Sequence, residues 1–363
     1  MASTDDAGAG RAEVIGTGLV GGSIGMALRA RGWHVTGADA DPEVARRALA
    51  LGALDAVGED PAATVVFVAT PLGAVVDTVR RVLARPGRPP DLVVTDVAGV
   101  KAAIAEAVDD PAFVGGHPMA GSEQVGIAGA SAELFVGATW VLTPTEATDA
   151  AAYARLRSLV ASLGAEVVAL SPAQHDALVA VVSHVPHLTA AALMNLADRM
   201  AEQHAALLRL AAGGFRDMTR VAAGQPAIWP DVCAENAPAI VATLDALVAE
   251  LGALRAQVAD ADRASLHDAL ERAARARRAL PARAVRPERL AELRVPVPDR
   301  PGVLAEITTL AGDLNVNISD LEIAHSVEGD RGVLVLVVDA AAAGRLHDAL
   351  ADKGFASTVG QLA

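Results

Sequence analysis

The chain has 363 residues, 52% of them hydrophobic, and a formal net charge of −14 at pH 7. That length exceeds what one core spans, so two or three domains are expected, and the apolar share rules out a disordered chain. The acidic balance argues against nucleic acid or an anionic membrane as the main partner.

Aromatic residues make up 2%, so the cores must be packed with Ala, Val and Leu. Cys233 is the single cysteine, which precludes an intrachain disulfide and suits a cytoplasmic setting. The opening MASTDDAGAG is acidic and has no apolar core of a secretory signal. No run of about eighteen uncharged apolar residues occurs, so no membrane partner is expected.

The first organised stretch is RAEVIGTGLVGGSIGMALRARGWHVTGADAD. Glu13 to Ile15 reads as the end of a buried strand. Gly16, Gly18 and Gly21 fit G-x-G-x-x-G, Ser23 to Arg31 reads as helix, and His34 to Ala38 reads as a second strand ending on Asp39. The glycines serve a tight turn, close approach to a pyrophosphate and close helix–strand packing. The pyrophosphate would sit on N–H groups at the helix start, those of Leu19 and Val20 among them. Asp39 falls where a carboxylate accepts the ribose hydroxyls, and it would repel a 2′-phosphate. NAD is therefore the expected cofactor.

Val65 to Ala69 is a strand ending in Thr70-Pro71, and Leu92 to Thr95 is another, ending at Asp96. The segment FVGGHPMAGSE, from Phe113 to Glu123, is too rich in small residues for a strand and too broken for a helix, so it reads as a loop. Thr139 to Leu142 and Ala165 to Ala169 complete a mostly parallel, doubly wound sheet. Ligands in such sheets bind beyond the carboxyl ends of the strands. Thr70, Asp96 and His117 then share one rim with the glycine loop, and His117 neighbours the nicotinamide.

From Ser171 the character becomes helical. SPAQHDALVAVVSHVPHLTAAALMNLADRM opens with a serine cap and Pro172, and Pro186 should kink the helix near His184 and His187. Those two histidines share a face. His184 reads as a core residue, while a pocket role suits His187; metal binding lacks a third ligand. Gly213 and Gly214 open a segment holding Arg216, Asp217 and Arg220 among apolar residues. It is expected to be half-buried, with an anion facing its arginines. Ile240, Leu244, Leu247, Leu251, Leu254 and Val258 form a heptad seam that could serve the domain core or a subunit interface, and a homodimer is expected. An arginine-rich stretch with Pro281 and Pro287 reads as helix end and linker.

The last seventy residues read as strand (Leu293 to Val297), helix (Val303 to Leu314), strands (Asn317 to Ala324 and Gly332 to Val338), helix (Ala341 to Lys353) and strand (Phe355 to Val359). The order βαββαβ is a ferredoxin-like sandwich. Three units result: a Rossmann-type domain over 10–170, an all-α substrate and dimerisation domain over 171–283, and the sandwich over 291–363.

Several motifs in order resemble the prephenate dehydrogenases of the TyrA family: GTGLVGGS, ATP, GGHPMAGSE, SPAQHD, SHVPH and GGFRDMTR followed by IW. The tail, with DRPGVL and NVNISDL, resembles an ACT regulatory domain. This resemblance implies NAD-dependent oxidative decarboxylation of prephenate to 4-hydroxyphenylpyruvate, a step of tyrosine biosynthesis. His117 matches the catalytic histidine, which draws the proton from the 4-hydroxyl as hydride leaves. Arg220 matches the substrate-binding arginine, and His187 the pocket histidine. Ser122, Glu123, Asp217 and Trp229 match further substrate-site positions; Glu123, Arg216 and Asp217 form an ionic gate across the dimer in relatives. The ACT tail implies feedback by tyrosine or phenylalanine, with Gly302, Asn315 and Asn317 as candidate effector contacts.

One departure stands out. The family's D-x-G-S-x-K stretch is here Asp96-Val97-Ala98-Gly99-Val100-Lys101, so Gly99 replaces the serine that bonds substrate and catalytic histidine. Thr95 or a water are candidate substitutes. Two other readings are an arogenate dehydrogenase, with an amino group in place of the keto group, and a non-catalytic NAD and amino-acid sensor. A β-hydroxyacid dehydrogenase would need a lysine on the helical part, and none lies between Lys101 and Lys353.

Overall fold

The computed structural model describes residues 10–121, 124, 126–202, 204, 207–280, 290–298, 300–325 and 331–361. It divides into two compact units, 1–273 and 274–363.

The first unit begins with β1 (Arg11–Ile15), α1 (Leu19–Arg29), β2 (His34–Ala38), α2 (Pro42–Ala50), β3 (Ala56–Val57), β4 (Val65–Val68), α3 (Leu72–Leu83) and β5 (Val93–Asp96). These five strands form a parallel sheet in the order β3-β2-β1-β4-β5. β4, Val-Val-Phe-Val, is buried throughout, as a central strand covered on both faces requires. On α3, Val75, Val79 and Val82 are buried at spacings of four and three, the stripe by which a helix seats on a sheet.

Then come α4 (Ala102–Ala107), β6 (Gly115–Pro118), β7 (Thr139–Thr143), α5 (Ala150–Ser162) and β8 (Glu166–Ala169). β6, β7 and β8 make a second sheet, with β6 antiparallel and β8 parallel to β7. The segment Gly115–Pro118, expected as loop, is therefore a strand. Its glycines belong there because a Cβ on Gly116 would stand 2.7 Å from the Asp96 carbonyl. Only a bare backbone can run so close to β5. A parallel bridge between Val94 and Phe113 joins the two sheets, so His117 lies on the same carboxyl-end rim as β1, β4 and β5.

The helical part holds α6 (Pro172–Val179), a π-helical turn over Ala180–His184, α7 (Val185–Ala201), α8 (Gly213–Thr219), α9 (Trp229–Glu235), α10 (Ala237–Ala259) and α11 (Arg263–Arg278). Ser171 and Gln174 close a capping box at the start of α6. The π turn sits just before Pro186, whose missing N–H interrupts the helical ladder. Ile240, Leu244 and Leu247 pack with Ala180 and Val185, but Leu251 and Val258 are 54% and 64% exposed. The heptad seam is thus covered only along its first half. An open apolar groove of about 720 Å³ runs beside it, lined by Val181, Val185, Ala190, Ala246 and Leu247. Two helical spans, Pro172–Ala201 and Ala237–Ala259, are by length and composition apolar enough to cross a bilayer. Both contain acids, Asp176 and Asp198 in one and Asp245 and Glu250 in the other, so neither shows as an uncharged run.

The second unit contains β9 (Leu290–Pro298), α12 (Val303–Asp313), β10 (Ile318–His325), β11 (Arg331–Asp339), α13 (Ala340–Asp352) and β12 (Thr358–Gln361). The antiparallel sheet order β10-β11-β9-β12 is that of a ferredoxin-like sandwich. The last strand starts at Thr358, later than the expected Phe355. Phe355 instead buries its ring in the core with Leu293, Leu346 and Leu350.

Candidate active site

The glycine loop sits where β1 meets β4. Gly16 has φ +92°, and a Cβ there would lie 2.4 Å from the Ala69 carbonyl oxygen. A Cβ on Gly21 would come within 1.8 Å of the Gly16 carbonyl, whereas at Gly18 it would meet nothing. Turn, packing and open approach are thus divided among the three glycines as a nucleotide cradle demands. Leu19 and Val20 start α1, whose first-turn N–H groups have no helical partners. Asp39 accepts hydrogen bonds from the Thr17 amide (2.7 Å) and the Thr17 hydroxyl (3.2 Å), and from the Asp41 amide (3.1 Å). The carboxylate is thereby fixed at the end of β2. The Thr70 hydroxyl is buried with no partner among the described residues. An orphaned hydroxyl beside a loop in which Gly16 and Gly21 admit no Cβ and Gly18 lies open fits a dinucleotide.

His117 lies on β6, paired with Val141 of β7. Its Nδ1 is 2.8 Å from His175 Nε2, and His175 Nδ1 is 2.7 Å from Asp176 Oδ1. Asp176 also accepts the amides of Lys101 and Ala102, both at 2.8 Å, and so caps α4. A carboxylate can only accept, so His175 must carry its proton on Nδ1. In the neutral His175 ring Nε2 is then the acceptor, so His117 donates from Nδ1 and its own Nε2 keeps the lone pair. That nitrogen faces Gly99, where a Cβ would stand 3.6 Å from it. Burial, reinforced by His175, Lys101 and His184, holds the His117 pKa well below the ordinary histidine value. The ring is neutral at pH 7 and able to take a proton.

Beneath the site, buried Lys101 is ion-paired with buried Asp96. Asp96 also accepts the Ala98 amide (3.0 Å) and the Gly116 amide (3.2 Å). The pair ties the Gly99 turn to β6. Burial lowers the Lys101 pKa against the pull of Asp96. Thr95, a candidate stand-in for the missing serine, is fully buried and bonds the Asp96 carbonyl at 3.3 Å. It does not reach His117.

On the helical side, Asn236 donates to the Asp176 carbonyl (2.8 Å) and lies 3.2 Å from His184 Nδ1. His184 is buried, and burial lowers its pKa against the pull of Asp176. The Trp229 ring stands edge-on to His184 at 6.2 Å and stacks on His187 at 3.7 Å. A line of contacts, passing through the Asp176 backbone carbonyl, thus runs from His117 to His187. Burial also lowers the His187 pKa. The turn Arg220–Ala223 packs on α7, and Gly224, which follows it, lies against the His187 ring. Contrary to the expected half-burial, Arg216, Asp217, Met218 and Arg220 are exposed, because α8 presents no fully buried residue to the chain. Ser122 and Glu123 lie outside the described residues.

His175, Asp176, Lys101 and Asn236 were not singled out from the sequence. The available signal was the ionisable pair His175-Asp176 inside an apolar helix, where neighbouring charges need partners. In the second unit, Gly302 caps α12 at φ +88° and Asn315 has φ +53°. Asn315 and Asn317 are exposed.

A nucleotide cradle with a neutral histidine on its rim, backed by a helical part, defines a nucleotide-binding dehydrogenase. Residues 24–169 match the prephenate dehydrogenase nucleotide-binding domain, 171–272 the prephenate dehydrogenase dimerization domain, and 291–352 the ACT domain. The chain is 36% identical over 335 residues to prephenate dehydrogenase of Bacillus subtilis (strain 168), covering 88% of this chain and 89% of that protein. Among solved structures it resembles Synechocystis arogenate dehydrogenase (TM-score 0.65, 33% identity, 74% of this chain and 98% of that one). It also resembles prephenate dehydrogenase from A. aeolicus in complex with hydroxyphenyl propionate and NAD+ (TM-score 0.69, 28% identity, 74% and 97%). The chain belongs to the prephenate dehydrogenase family.

Proposed function

We propose that this chain oxidises and decarboxylates prephenate to 4-hydroxyphenylpyruvate with NAD. The observation that carries the reading is the neutral His117, with Nδ1 engaged by His175 and Nε2 turned toward Gly99. NAD, when bound, supplies the hydride acceptor. Asp39 would hold its ribose, and Gly16, Gly18, Leu19, Val20, Gly21 and Thr70 its phosphates and nearby groups. His117 takes the proton from the 4-hydroxyl as hydride leaves C4 and the ring carboxylate departs as CO₂. Arg220 pairs with a substrate carboxylate, while His187 and Trp229 wall the pocket; Ser122, Glu123 and Asp217 complete the site. An exposed arginine beside this pocket is suited to meeting a dianion.

The half-covered seam of α10 and its groove support a homodimer, and we place the enzyme in the cytoplasm. The domain bounds we adopt are 10–170, 171–283 and 291–363. In the ACT domain, tyrosine or phenylalanine would bind near Gly302, Asn315 and Asn317 and exert feedback. The Synechocystis likeness favours a second reading, arogenate as substrate. Initial rates of NADH formation with prephenate and then arogenate, for wild type and His117→Asn, test both. Prephenate turnover that falls about 10²- to 10⁴-fold in the variant is expected. Arogenate turnover alone would move the substrate, and no turnover of either would end the reading.

A further inference from the structure

We propose that His175 and Asp176 are positioning residues of this reaction: through His175, the carboxylate fixes His117 as the Nδ1–H tautomer, so that Nε2 is the basic nitrogen facing substrate. The inference rests on the reading of His117 as the base. An unconstrained neutral imidazole prefers its proton on Nε2, the wrong nitrogen for this task. Here Asp176 is held by two backbone amides at 2.8 Å, so its orientation does not depend on His175. It can dictate the His175 proton, and His175 can dictate that of His117. Among the described residues, His175 is the hydrogen-bond partner of the His117 ring. With Gly99 in place of serine, the orienting role falls to this buried line. When His117 takes up the substrate proton, Nδ1–H still points at His175 Nε2, and the Asp176 anion lies one ring further on. Of the other charged groups nearby, Lys101 is neutralised by Asp96, and His184 faces Asn236.

The test uses the full chain and two substitutions, since Asp176 itself caps α4. His175→Phe keeps the ring's bulk but offers no acceptor. His175→Gln returns an amide oxygen near the position of Nε2. We expect kcat to fall about 10- to 100-fold in the phenylalanine variant, with KM for NAD and prephenate within about twofold and most of the loss restored by glutamine. Unchanged kcat in a folded phenylalanine variant, or equal losses in both variants, would overturn the proposal. Ring ¹⁵N spectra of histidine-labelled wild type, assigned by loss of the signal in His117→Asn, need no turnover. A pyridine-like shift at His117 Nε2 supports the proposal, and one at Nδ1 sinks it even if His175→Phe does not fold. A wild type that turns over neither substrate, yet has this tautomer, would defeat the proposed function and leave the positioning intact.

Discussion

Gly99→Ser is the perturbation whose outcome the site geometry specifies most closely. Gly99 does not have a positive φ, so a side chain brings no backbone strain. The Cβ it would add lies 3.6 Å from His117 Nε2 and 3.7 Å from Cε1, ordinary van der Waals distances. A hydroxyl one bond further can come within hydrogen-bonding range of Nε2. One neutral hydrogen bond contributes about 0.5–1.5 kcal/mol. Spent on holding the reacting hydroxyl and Nε2 in line, that is about a two- to tenfold rise in kcat. Replacing glycine should also add about 0.4–1 kcal/mol of stability by restricting the unfolded chain. Initial rates by NADH absorbance and urea unfolding of the same preparations measure both. A kcat below wild type, with NAD affinity and stability intact, would refute the reasoning, since it would mean that the space at Gly99 must stay empty.

Arg220→Gln should raise the KM for prephenate by about ten- to a hundredfold, the loss of one charge-assisted contact, with NAD affinity unchanged by titration. Gly21→Ala forces a Cβ to 1.8 Å from the Gly16 carbonyl, so unfolding stability should fall by about 1–3 kcal/mol and NAD binding, followed by fluorescence, should weaken. His117, His184 and His187 all have folded pKa values below the ordinary one. The unfolded chain therefore binds protons first as pH falls, and stability should drop from near the unfolded value of about 6.5 downward. His117→Asn should flatten that drop in urea titrations run at several pH values. For the same reason the acid limb of kcat/KM should lie well below an ordinary histidine titration.

Much of this is legible in the sequence alone. The glycine loop and Asp39 are local in sequence, and their spacing follows from one strand, one turn and one helix. The ferredoxin-like order likewise depends on short-range periodicity. The strand at Gly115–Pro118 was not legible, because two glycines and a proline have poor strand propensity. What makes them a strand is the close passage over Asp96, a tertiary fact. His175 escaped for a related reason. Its partner His117 lies 58 positions earlier, and nothing in the local pattern of either segment records which face of α6 meets β6. The exposure of Arg220 is a third case, since apolar neighbours in a short helix need not be buried within their own chain.

The seam at residue 170, between nucleotide-binding and helical parts, would look on paper like a natural place to cut. Yet on the proposed reading the base stands on one side of it, at His117, and the group that sets its tautomer on the other, at His175. Asp176 also reaches back across the seam to cap α4, just after the turn that carries Gly99. A chimera joined there with a foreign helical part would inherit an intact cradle and a histidine with its proton on the wrong nitrogen. Recombination between relatives should thus tolerate a crossover at 170 poorly, and engineers grafting new substrate pockets onto this cradle must carry α6 along with it.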